Sequence, residues 1–314
     1  MKRLAILADI HANLPALEAV LADAQQYDID GIIVAGDLIG GGPQPVQVVR
    51  LLRSLDSLII RGNNENYFLA YDTGQAPDAW RTSYQWAALR WSYSRLDRET
   101  LDLFTALPEQ RVVAPDGAAP IRVVHGSLHS TSGQLFPDHD PAQLHWFRKA
   151  GLLPPDREPD RLGVALAQIN EPVLVCGHTH ISWKQEQDGW MVLNPGSVGA
   201  PINGDARAQY ALLTWQDDRW QAQHRAVPYD LGHIRAAFRE SGLLAAGSDF
   251  ARACLLTIET GHNIVGYFVS HVYGLAAEAG YGDCDVVPDA IWERAVTTFD
   301  WNGTAGRKKS IANR

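Results

Sequence analysis

Positive charge is in short supply in this chain. Its 27 Lys and Arg are outnumbered by 36 Asp and Glu, for a formal net charge of -9 and a pI near 5.6. That balance opposes a broad electrostatic grip on nucleic acid or on an anionic membrane, since such a grip needs clustered Lys and Arg. A small anionic substrate would need a local positive charge of its own, such as a metal ion. Cysteine is scarce as well. Cys176, Cys254 and Cys284 are odd in number and widely spaced, which excludes a disulfide scaffold and fits a reducing, cytoplasmic setting. Long apolar runs are missing too. The longest uncharged stretch, TGHNIVGYFVSHVYGLAA (260–277), is broken by His262, His271 and three glycines, so no membrane span is expected. The opening MKRLAILADI has a basic start, but Asp9 interrupts its apolar run and no small-residue cleavage site follows, so it reads as a strand rather than a leader. No internal repeat or low-complexity tract occurs.

What is present is an ordinary globular composition. With 314 residues and 46% hydrophobic content the chain can bury a sizeable core, as one large domain or two small ones. Five short β-branched runs end abruptly in polar residues: LAILADIH (4–11), GIIVAGD (31–37), LIIRGNN (58–64), IRVVHGS (121–127) and PVLVCGHTH (172–180). Each run is continuous rather than alternating, as expected of strands buried on both faces. Helical patterns separate them. LPALEAVLADAQQ (14–26) puts Leu17, Val20, Leu21 and Ala24 on one face behind Pro15, and PVQVVRLLRSL (45–55) repeats the arrangement. Strand and helix in alternation imply an α/β sheet. Farther on, GWMVLNPGSVG (189–199), QYALLTW (209–215) and WQAQHRAVPY (220–229) lack intervening helices and suggest a second, largely antiparallel sheet packed on the first.

In open α/β sheets ligands collect beyond the carboxyl ends of the strands. Asp9, His11, Asp37, Asn63, His125, His178 and His180 all fall there. If those ends are extended, the pairs Asp9/His11 and His178/His180 each point to one side and can approach one centre. Carboxylate, imidazole and amide donors without thiolate suit Mn, Fe, Zn, Ni or Co better than a Cys-rich zinc site. Seven donors exceed the needs of one ion and suit two that share a carboxylate. Taken singly, D-x-H also reads as a strand end or helix cap; the common position of these motifs after apolar runs is what carries the metal reading.

The ordered series ADIHANLPALEAVL, GDLIGGGPQP, RGNNEN, HGS, GHTH and NPGSVG resembles the calcineurin-like metallophosphoesterases, specifically the small bacterial and archaeal phosphodiesterase-type branch. The resemblance covers about residues 1–229. It implies a four-layer α/β/β/α sandwich of two mixed sheets flanked by helices, with a C-terminal extension. It also implies two divalent transition-metal ions, with manganese favoured. Asp9, His11, Asp37 and His180 would hold one; Asp37, Asn63, His125 and His178 the other, with Asp37 bridging. GDLIGGGPQP lacks the arginine that follows this motif in the protein serine/threonine phosphatases and diadenosine tetraphosphate hydrolases, which argues against those two activities. The implied function is hydrolysis of a small phosphodiester or nucleotide by a metal-bridging hydroxide.

Asn64 stands where many such relatives carry a histidine that positions substrate and is thought to protonate the departing oxygen. An amide donates a hydrogen bond but no proton at neutral pH. Three readings follow: a substrate with a good leaving group, a substitute acid with His129 nearest in sequence, or a metal-bound but non-catalytic scaffold of the same fold. DAWRTSYQWAALRWSYSRL (78–96) spaces Trp80, Tyr84, Ala87 and Trp91 along an expected helix as a lobe beside the site, an aromatic stripe that can pack a core or stack nucleobases. Residues 230–314 have no counterpart in the family core and are expected to form a cap or a dimer contact, with GRKKSIANR as a solvated basic end. The two histidines of the tail, His262 and His271, are expected to be packing or surface residues outside the site. The expected partners are a small phosphorylated substrate and a second copy of the chain, with no sequence-specific nucleic acid and no membrane.

Overall fold

The structure is a computed structural model that describes residues 2–137, 162–282 and 284–306, with side chains described through 303. Strands β1 (Lys2–Leu7), β2 (Gly31–Val34) and β3 (Leu58–Ile59) lie parallel, and β9 (Ala208–Gln216) and β10 (Arg219–Val227) continue the sheet antiparallel beyond β1, in the order β10-β9-β1-β2-β3. The second sheet has the order β4-β5-β6-β8-β7, from β4 (Gln110–Val113), β5 (Ile121–Val124), β6 (Val173–Val175), β7 (Ser182–Gln187) and β8 (Trp190–Pro195). Its three central strands are parallel and its two edges antiparallel.

Side-chain alternation decides what each face meets. Leu4 and Ile6 of β1 pack between the sheets with Ile121, Val123, Val173 and Val175, whereas Ala5 and Leu7 join the helical layer. That layer holds α1 (Leu14–Ala24), α2 (Pro45–Ser54), α3 (Asn63–Asp72) and α5 (Arg98–Ala106), which contribute Leu17, Val48, Phe68 and Phe104 to one cluster. Asn13 starts α1 by accepting a hydrogen bond from the Ala16 amide, with Pro15 in the first turn, and the expected face is the buried one. On the outer face of the second sheet, α6 (Leu162–Leu166) packs Leu162 and Ala165 against Leu174 and Val192. The four layers follow.

Three expectations change. The late strands do not form a sheet of their own: β9 and β10 complete the first sheet, and β8 enters the second parallel to β6. The five ligand-bearing strands are therefore divided between two sheets, three and two. β4 and β7 escaped the sequence reading because they are edge strands with mostly exposed or half-buried residues, so no apolar run marks them. Finally, 78–96 is not one helix. Two 3-10 turns, Asp78–Arg81 and Tyr84–Trp86, precede α4 (Ala87–Tyr93), and Arg90 donates to the carbonyls of Trp80 and Ser83 at 2.8 and 2.7 Å, occupying groups that a continuous helix would bond internally.

The aromatics of that segment pack on protein. Trp80 stacks on Trp86 at 3.6 Å, and Tyr67 meets both edge-on. Trp91 and Ala88 share a cluster with Ile234, Phe238 and Cys254 of the C-terminal helices. Those are α7 (Leu231–Glu240), α8 (Leu243–Ala246), α9 (Ser248–Thr260), α10 (Ile264–Glu278), α11 (Asp289–Thr298) and α12 (Trp301–Gly306). Gln85 joins them to the segment through Tyr273 Oη and the Val287 amide, at 3.1 and 3.0 Å. The basic end from 307 onward lies outside the described residues.

Ile6 is fully buried between the sheets. Ile6→Ala is expected to lower unfolding stability by about 2–5 kcal/mol, and the exposed-site control Lys184→Ala by under about 0.5 kcal/mol, both read by urea denaturation.

Candidate metal centre

The strands end earlier than the apolar runs suggested, and the chemistry-bearing residues sit on the loops just beyond them. Asp9, His11, Asp37, His178 and His180 all take left-handed backbone, with φ between 50° and 65°. Their convergence therefore comes from tight turns rather than from alternation in an extended segment. Left-handed backbone disfavours L-residues by about 1–2 kcal/mol each, so neighbouring groups must hold it in place. The loops do this for one another. The amides of Ile10 and His11 donate to the Asp37 carbonyl at 2.8 and 3.1 Å, and the His178 amide donates to Asp9 Oδ2 at 3.0 Å. The NPGSVG segment clamps two ligand loops: Ser197 Oγ donates to the Asp9 carbonyl at 2.7 Å, and Asn194 Nδ2 to the Gly177 carbonyl at 2.9 Å.

Two donor groups result, Asp9/His11/His180 and Asp37/His125/His178, each with its ligand atoms within 4.8 Å of one another. The groups abut. His11 Nε2 lies 3.7 Å from Asp37 Oδ2, and His125 Nε2 lies 3.4 Å from Asp37 Oδ1 and 3.9 Å from Asp9 Oδ1. Asn63 adds its amide oxygen, 3.0 Å from His125 Nε2.

The imidazoles are oriented from behind. Nδ1 of His11, His125 and His180 faces the carbonyls of Gly40, Ala35 and Ala200 at 3.0, 2.6 and 2.7 Å. A carbonyl only accepts, so each Nδ1 carries the hydrogen. In the neutral rings of His11 and His180 both Nε2 atoms then present lone pairs, yet they lie 2.9 Å apart. Two acceptors at that distance repel unless a cation or proton lies with them. Burial, then the neighbouring imidazole, pushes His180 down to about 3, and burial lowers His11 as well, so protonation of these two rings is disfavoured. The donor set thus fits a divalent cation.

The carboxylates complete the case. Both Asp9 and Asp37 are buried. Burial, with repulsion from Asp37, raises Asp9 to about 8 against the pull of His125. Asp37 moves the opposite way: burial opposes its charge, but His125, His11 and the Asn64 amide hold it well below the usual carboxylate range. Burial alone would lower His125, and the Asp37 and Asp9 carboxylates instead bring it up to about 10; a metal ion held at its Nε2 would take the place of that proton.

RGNNEN behaves differently from the expected strand end. β3 stops at Ile59, and Asn63 and Asn64 open α3. Adjacent helical residues lie about 100° apart, so the two amides still diverge. Asn63 turns to His125. Asn64 grips Asp37, with its backbone amide on Oδ1 at 2.9 Å and Nδ2 on Oδ2 at 2.5 Å. His129 is exposed and is not among the residues that line the cavity at the centre.

Glu65 was not read from the sequence. It is fully buried, and its carboxylate accepts from the amides of Gly62, Asp37 and Leu38 at 2.8, 3.0 and 2.9 Å. Burial, then repulsion from Asp37, raises it to about 7. Its place, three residues after the Gly62 cap, is the one signal that could have found it. Gly62 is required by close approach: a Cβ there would lie 2.2 Å from Asp37 Oδ1. A cavity of about 720 Å³ opens beside the cluster, walled by α9 and α10 of the C-terminal tail together with Tyr67, Gln134 and Ile202.

A model of the calcineurin-like phosphoesterase superfamily domain matches residues 1–218. An uncharacterized protein of Methanocaldococcus jannaschii is 26% identical over 243 residues, spanning 73% of this chain and 88% of its own. The phosphodiesterase YfcE of Escherichia coli is 24% identical over 225 residues, or 68% and 88% of the two chains. A crystal structure of a metallophosphoesterase from Sphaerobacter thermophilus superposes with a TM-score of 0.62 at 26% identity, covering 83% of this chain and 99% of that one.

Divalent metal is expected to raise the melting temperature, with Asp37→Asn removing most of that gain in a thermal-shift titration. Glu65→Gln should weaken metal affinity by about 10- to 100-fold through misplacement of the Asp37 loop, read by metal titration calorimetry.

Proposed function

We propose, from the premise that this chain belongs to the calcineurin-like phosphoesterase superfamily, that it is a phosphodiesterase working with two divalent metal ions, manganese favoured. Asp9, His11, Asp37 and His180 would hold one ion. Asp37, Asn63, His125 and His178 would hold the other, with Asp37 shared. The observation that carries this reading is the adjacency of two three-residue donor groups, linked by the 3.7 Å contact of His11 with Asp37. When bound, such a pair of ions supplies a water of lowered pKa and neutralises phosphoryl oxygens.

The chain's own residues do the rest. Carbonyls behind His11, His125 and His180 keep the hydrogen on Nδ1 and aim Nε2 inward. Glu65 holds the Asp37 loop by three backbone amides. Asn64 lines the cavity beside Asp37, where its Nδ2 can donate to an oxygen of the substrate. It delivers no proton, so the reading favours esters whose leaving group departs as an anion. The placement of Asn64 against Asp37 also supports a second reading, a metal-bound scaffold without turnover. No helix among the described residues is long and apolar enough to cross a membrane.

Manganese-dependent hydrolysis of bis-p-nitrophenyl phosphate is expected, with a loss of at least about 100-fold in His178→Ala. Absence of turnover with Mn, Fe, Zn, Ni and Co would move the assignment to the scaffold. Aryl diesters should be hydrolysed far faster than alkyl diesters, and Asn64→His should narrow that gap by raising the alkyl rate by up to about 100- to 10,000-fold. Equal acceleration of both classes by the native protein would remove the leaving-group argument.

A further inference from the structure

We propose that the cavity beside the cluster is an aryl-binding subsite, walled by α9 and α10, that receives the aromatic leaving group of a phosphoester bearing a single phosphate. This rests on the phosphoesterase reading above and names its substrate class.

The cavity, about 720 Å³, is far larger than a phosphate needs and suits a drug-sized organic group. One side is the cluster itself. The facing wall is apolar, with Phe250 and Ile258 from α9 and Val265, Tyr267 and Val269 from α10. Two of its polar side chains are engaged within the protein, Thr257 Oγ1 accepting from the Val265 amide at 3.1 Å and Asn263 Oδ1 from the Gly266 amide at 2.9 Å, and Tyr267 and Ser270 add hydroxyls. Gln134 Oε1 is a buried acceptor without a partner among the described residues, so one donor on the ligand would satisfy it.

Charge narrows the ligand further. No Lys or Arg lines the cavity among the described residues. A second or third phosphate would place its negative charge against Phe250 and Val269 with no Lys or Arg among the described residues to balance it, which is unfavourable. One phosphate at the cluster and an uncharged aromatic body in the cavity match both halves. Asn64 points independently to the same class, because an aryl oxide departs without the proton that an amide cannot give. The wall is anchored rather than loosely draped: Cys254 of α9 packs against the Gly41 backbone of the loop after β2, where a Cβ would approach its Sγ to 3.2 Å.

The test uses the full chain loaded with Mn²⁺ and two phosphonates, 1-naphthylphosphonate and methylphosphonate, measured by titration calorimetry. The naphthyl compound is expected to bind at least about tenfold more tightly, from burial of its rings. Val269→Gln and Phe250→Ala should each shrink that ratio several-fold while methylphosphonate affinity stays unchanged, which also shows that the variants are folded. Equal affinities in the native chain, or a ratio untouched by both variants, overturn the subsite. Turnover of bis-p-nitrophenyl phosphate is followed in parallel. Turnover without naphthyl preference removes the subsite and keeps the phosphoesterase; naphthyl preference without turnover keeps an aryl pocket and overturns the phosphoester substrate.

Discussion

Two carboxylates, Asp9 and Asp37, must stay buried beside each other, and much of the surrounding structure serves that requirement. Neither can be solvated, so each depends on cationic or donor groups brought by other parts of the chain. Asp37 takes the Asn64 amide and the His125 ring, and Asp9 takes the His178 amide. Glu65 is a third buried acid, and its cost is offset by three amides that also set the course of the Asp37 loop. The left-handed turns, the close approach of Gly62 and the clamp by Ser197 and Asn194 are what place these donors within reach.

The same constraint explains why two sheets are needed. β1, β2 and β3 deliver Asp9, Asp37 and Asn63, while β5 and β6 deliver His125 and His178 from the facing sheet. A core of Leu4, Ile6, Val123 and Val175 holds the sheets in register. Burial there is thus coupled to the electrostatics at the loop ends: a shift of one sheet against the other would separate acids from imidazoles. The C-terminal helices add a different element. Packed on the 78–96 segment and on Gly41, they turn an open crevice into a walled cavity.

Much of this was legible in the residues. Short apolar runs ending in Asp, His and Asn placed every side chain of the two donor groups, because a strand buried on both faces is written as a continuous apolar run and its end is where polarity resumes. The α1 face of Leu17, Val20 and Leu21 was equally plain. Where the reading erred, local pattern lacked the information. β4 and β7 are polar edges, Asn63 and Asn64 open a helix whose capping acid, Glu65 on the Gly62 amide, also takes the Asp37 amide, and the 78–96 helix breaks where Arg90 takes its carbonyls.

The sequence by itself determined which atoms are available for chemistry: imidazoles, carboxylates and amides after strands, an amide at position 64, and a net negative charge that leaves anion binding to local groups. Only the tertiary structure decided that the donors converge through left-handed turns, that Asn64 grips Asp37 and Glu65 holds the Asp37 loop, and that Phe250 and Val269 face the cluster across a cavity. The reason is physical. Donor identity is a property of single side chains, whereas pairing and enclosure depend on left-handed turns and sheet packing that bring together residues more than a hundred positions apart.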